Sequence, residues 1–65
     1  MTFDEAIQAV IDECPDEYAK SYAQVMPQAI ALGGKKDQIL YILSNTAHWR
    51  GERAREVKAV LKAHK

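Results

Sequence analysis

Sixty-five residues make one domain and leave no room for a second. A chain this short buries only about 60% of the surface its unfolded form exposes, and its single cysteine, Cys14, excludes an internal disulfide that would reinforce it. Nine basic and nine acidic residues cancel, yet residues 1–34 carry −6 + 1 = −5 and residues 35–65 carry +8 − 3 = +5.

Such halves pair within one fold, pair between two subunits, or give the surface a dipole. Pairing within the fold is the simplest expectation. Nothing implies an oxidising compartment. His48, His64 and Cys14 show no short ligand spacing, so neither a metal nor a cofactor is expected. The N-terminus is acidic and lacks a basic leader region. No apolar run approaches the ~20 residues that span a bilayer. The expectation is a cytoplasmic protein with no membrane partner.

The first predicted helix covers about residues 3–13. Thr2-Phe3-Asp4-Glu5 forms a capping box. Phe3, Ala6, Ile7, Val10, Ile11 and Cys14 then fall on one apolar face of a 3.6-residue period. Pro15 ends this helix by pushing Cys14 out of the α region. It also suits the first position of the next helix, where its missing N–H costs nothing.

The second predicted helix covers residues 15–32, with Ala19, Tyr22, Ala23, Met26, Ala29 and Ile30 on one face. Pro27 interrupts it, at a cost of about 3 kcal/mol if it lies in a helix interior. The apolar period continues in phase across it, so one helix kinked at Pro27 is expected. Gly33-Gly34 supplies the stop.

The third predicted helix covers residues 37–48. Ile39, Ile42, Leu43, Thr46 and Ala47 share a face, and Leu40 widens it. Only a strip with Asp37, Tyr41 and Ser44 is left for water. A helix apolar over most of its circumference is one surrounded by others, so this element is expected to organise the fold. Gly51 breaks the chain before the last helix, residues 52–64. Its apolar stripe is Ala54, Val57, Val60 and Leu61; beside it run Arg55, Lys58, Lys62 and Lys65. No segment alternates like a strand. The predicted fold is all-α, a small bundle of four helices.

Catalysis finds no support. There is no nucleophile elbow and no phosphate-cradling glycine loop. Ser44 and His48 lie four apart on the third predicted helix but lack an orienting third group. Cys14 reads as a small buried hydrophobe. Binding has better candidates. His48-Trp49-Arg50 and the nearby Arg53 include the residue types most enriched in binding hot spots. Trp49 also suits the end of the bundle, its indole N–H bonded to a carbonyl, and one half-buried tryptophan can do both. Tyr18, Tyr22 and Tyr41, with Met26 and Trp49, would form a patch for a partner or a homodimer.

The alternative is nucleic acid, through a helix-turn-helix-like pair over residues 38–62 with Arg50, Arg53, Arg55, Lys58 and Lys62 as contacts. The pattern laid over residues 43–62 places Ala47, Gly51 and Val57 suitably, but puts Arg50 and Glu52 where apolar residues belong. A net charge of zero also weighs against it.

Gln38-Ile39-Leu40-Tyr41-Ile42-Leu43-Ser44-Asn45, Trp49-Arg50-Gly51-Glu52 and Ala54-Arg55-Glu56-Val57-Lys58 resemble small helical proteins of unassigned function encoded by bacteriophages and prophages. Tyr18-Ala19-x-x-Tyr22-Ala23 fits the same group. The resemblance covers about half the chain and carries no functional residues with it. It implies stoichiometric binding to a host or phage protein in the host cytoplasm.

Overall fold

Thr2 starts the first helix as its sequence requires. Its hydroxyl oxygen accepts from the Glu5 N–H at 3.1 Å, and Glu5 Oε1 accepts from the Thr2 N–H at 2.7 Å. Helix α1 follows over Phe3–Glu13 and buries Ala6, Ile7, Ala9 and Val10. The computed structural model describes all residues 1–65. Cys14 still donates to the Val10 carbonyl but has extended backbone, φ −69° and ψ 132°, as the proline after it demands.

Helix α2 is Glu17–Gln24. It begins after Pro15, not on it. Asp16 is the N-cap, its carboxylate accepting from the Ala19 N–H at 2.9 Å, and a capping carboxylate defines a helix start more strongly than a permitted proline.

The single kinked helix expected over 15–32 is two helices. Helix α3 is Met26–Ala31, and Val25 closes α2 and opens α3 with φ −95° and ψ 8°. Pro27 lies in the first turn of α3, where its missing N–H removes no helical bond. The expected apolar face is kept only in part: Ala19, Ala23 and Met26 are buried and Ala29 half-buried, whereas Ile30, beyond the break, is 44% exposed. At the far end, Gly34 N–H bonds the Ala29 carbonyl at 2.7 Å and Gly33 N–H bonds that of Ile30 at 3.1 Å. With Gly33 at φ +82°, this is a Schellman stop.

Helix α4 is Lys35–Ser44, ending four residues before the expected 48. Polar side chains take over its last carbonyls. Ser44 Oγ donates to Leu40 O and Asn45 Nδ2 to Tyr41 O, each at 2.8 Å, and Thr46 Oγ1 donates to Leu43 O at 3.1 Å. Such bonds compete with continuation of the helix. Helix α5 is Glu52–Ala63, within a residue of expectation. Its N-cap, Gly51, has φ +113°, a conformation L side chains rarely adopt.

The architecture is therefore all-α with five helices rather than four. Helix α1 packs on α2 and α5, and α4 packs on α2, α3 and α5. Helix α4 is not enclosed. Ile39 and Ile42 are buried, but Leu40 is 39% and Tyr41 51% exposed. A domain this small lacks the chain to surround a helix, so α4 shares the centre with α1. No helix is long and apolar enough to cross a membrane.

Candidate binding surface

Residues 45–51 leave α4 and reach α5 in a turn that is half core and half surface. Thr46 is buried, and its carbonyl accepts from the Trp49 N–H at 3.0 Å. Trp49 is only 8% exposed and belongs to the core cluster with Ile42, Val57 and Leu61. Its polar tie is not the indole–carbonyl bond expected. Lys58 Nζ donates to the Trp49 main-chain carbonyl at 2.6 Å, locking the turn to the second turn of α5.

The remaining candidates separate. His48 is exposed, its Nε2 lying 3.8 Å from Asp16 Oδ2 at the start of α2. Arg53 turns to α1, where Nε and Nη2 grip the Glu13 carboxylate at 3.1–3.2 Å. A weaker contact joins its Nη1 to Glu56 Oε1 at 3.5 Å. The Glu13 bonds hold the guanidinium above its ordinary pKa. Arg50 is exposed and forms no ion pair. So of His48, Trp49, Arg50 and Arg53, one is core, two are engaged with carboxylates, and Arg50 alone is free.

Arg55 lies two residues from Arg53, about 200° around the helix, and faces away from α1. There Arg50, Arg55, Lys58 and Lys62, with Trp49 and Gly51, line a cleft of about 270 Å³. No carboxylate lines it. The basic stripe is legible from the spacing of Arg55, Lys58 and Lys62, and Arg50 stands with them among the candidate contacts; that Arg53 leaves the group for Glu13 is not legible. A seven-residue connection separates α4 from α5, against the 3–4 residues of a helix-turn-helix.

Elsewhere, Glu5, Asp12 and Glu13 line a cleft of about 380 Å³ beside Arg53. Glu5 is held below its ordinary pKa of 4.5, first by the Thr2 N–H bond and then by the Thr2 hydroxyl. Ser44 closes α4 and bonds Leu40, while His48 faces Asp16, so the two do not form a pair. Tyr22 and Tyr41 meet as tilted rings with centroids 5.5 Å apart and Tyr18 is 70% exposed, but Met26 and Trp49 are buried, which breaks up the five-residue patch. No group of three His, Cys, Asp or Glu side chains is placed to hold a metal ion. One cluster had no sequence signal at all. Lys35 Nζ lies 4.4 Å over the Phe3 ring and 3.4 Å from His64 Nδ1, tying three helix ends together.

No protein-family model, no curated protein and no solved structure matches the chain.

Proposed function

We propose that the protein is a small, non-catalytic binding protein that holds an acidic segment of another protein, one to one, on the face bearing Arg50, Arg55, Lys58 and Lys62. The observation that carries this reading is the cleft itself: four cations, no lining carboxylate, and no ion pair at any of them. Complementary charge steers partners together and selects among them. In keeping with the resemblance to phage and prophage proteins, the partner we propose is a host or phage protein met in the host cytoplasm. Arg50 is the free member of the turn, and Trp49 supports the face from beneath.

The test is affinity capture with the triple variant Arg50→Ala, Arg55→Ala, Lys62→Ala beside the unaltered protein. All three side chains are exposed, so the variant folds and its circular dichroism is unchanged. The partner captured by the unaltered protein is lost from the variant. Undiminished capture refutes the surface.

The same cations support a second reading, contact with nucleic-acid phosphates. Labelled duplex DNA separates the two. Phosphate contacts give an affinity that falls steeply with salt, whereas absence of binding at low salt eliminates this reading. The long connection before α5 and the zero net charge favour the protein partner.

A further inference from the structure

We infer that the cleft beside α5 is a phosphate-group site, and that the partner's segment presents a phosphorylated side chain to it. The inference rests on the protein-binding reading above and names the chemistry of what is bound. Four like charges around one cleft repel one another, and no carboxylate lines it to neutralise them. A carboxylate would bring one negative charge and two oxygens. A phosphate monoester brings about −1.5 to −2 and three strong acceptor oxygens. Arg50 and Arg55 each offer a planar fork of N–H donors that matches phosphate geometry.

One cation is already positioned. Lys58 Nζ is fixed at 2.6 Å on the carbonyl of the buried Trp49. An ammonium has three donors, so the remaining two are oriented by that bond. Ordering a lysine on binding otherwise costs side-chain conformational freedom. Size narrows the ligand further. At about 270 Å³ the cleft is at the small end of ligand-binding pockets, which run roughly 300–1,000 Å³. It fits one charged group projecting from something larger. Gly51 lies on its lining, and a Cβ there would meet nothing within 4 Å, so the approach is open.

The experiment is an amide-shift titration by nuclear magnetic resonance at constant ionic strength. The probes are inorganic phosphate, a short acidic peptide bearing one phosphoserine, and the same peptide with aspartate in its place. Phosphate and phosphopeptide move the amides of Gly51 and Arg55. The phosphopeptide binds at least tenfold more tightly than the aspartate peptide. The double variant Arg55→Ala, Lys62→Ala loses that tenfold advantage while keeping its helical spectrum. Equal binding of the two peptides overturns the phosphate site and leaves the acidic-segment reading standing. No movement with either phosphate or phosphopeptide also overturns it, while the capture experiment decides the reading beneath it separately. Duplex DNA that displaces the phosphopeptide at moderate salt overturns it in favour of nucleic acid.

Discussion

Trp49 sits under the turn with its ring in the core and its carbonyl held by Lys58. Truncating a buried tryptophan costs about 3–5 kcal/mol. At about 0.05–0.15 kcal/mol per residue, the whole domain has only roughly 3–10 kcal/mol to lose. Trp49→Ala is therefore expected to remove roughly a third or more of the domain's stability and to lower its urea midpoint strongly, while Trp49→Phe keeps the fold. Urea titration followed by circular dichroism checks both, and an unchanged midpoint for Trp49→Ala removes the tryptophan from the core. Such a variant cannot report on partner binding, which is why the exposed arginines make the cleaner probes.

Glu5 shows the sign of a different effect. Its folded-state pKa lies below the ordinary 4.5 because it accepts the Thr2 N–H. A depressed carboxylate stabilises the fold above its unfolded value and stops doing so as pH falls through the folded value. The window therefore lies below pH 4.5. Melting curves at pH 7 and pH 3 are expected to show a larger loss for the unaltered protein than for Glu5→Gln. Equal losses would mean that the capping box contributes nothing to acid sensitivity.

Among the elements, α4 departs most from its pattern. Leu40 and Ile42 look alike in the sequence, yet Leu40 is 39% exposed and Ile42 fully buried. Ile42→Ala is expected to cost about 2–5 kcal/mol and Leu40→Ala under about 0.5 kcal/mol, both read from denaturant midpoints. Similar costs would restore α4 as an enclosed helix.

What could be read locally held. Thr2 with Glu5, Pro15 after Cys14, and Gly33-Gly34 each act through neighbours within a few residues. The end of α4 is not legible, because Thr46 and Ala47 extend the apolar period while Ser44, Asn45 and Thr46 bond backward and stop the helix. Period and capping conflicted there, and capping prevailed. The diversion of Arg53 to Glu13 spans 40 residues, beyond any local rule.

For the molecule as a whole, the acidic and basic halves do not cancel by contact. Beyond the Arg53–Glu13 pair and the His48–Asp16 approach, the opposed charges of the two halves form no salt bridge. The molecule measures 32 × 22 × 17 Å, and at physiological salt the screening length is about 8 Å. Opposite sides therefore present their charge almost independently. The cations on the side of α5 turned from α1 are partly screened from the acids of α1, and association with a partner on that side is steered accordingly.

Cys14, buried where α1 gives way to α2, makes the molecule its own stopwatch. A thiol reagent reaches that sulfur only while the joint is open. When reclosing outpaces labelling, the rate reads the population of the open form. A chain with one shared core is expected to open as a unit, so Ile42→Val, at about 0.5–1.5 kcal/mol, should speed labelling roughly two- to tenfold. Identical rates would instead reveal a hinge between the first two helices that swings without melting the rest. A single sulfur, useless as a staple, thereby distinguishes a breathing protein from an unfolding one.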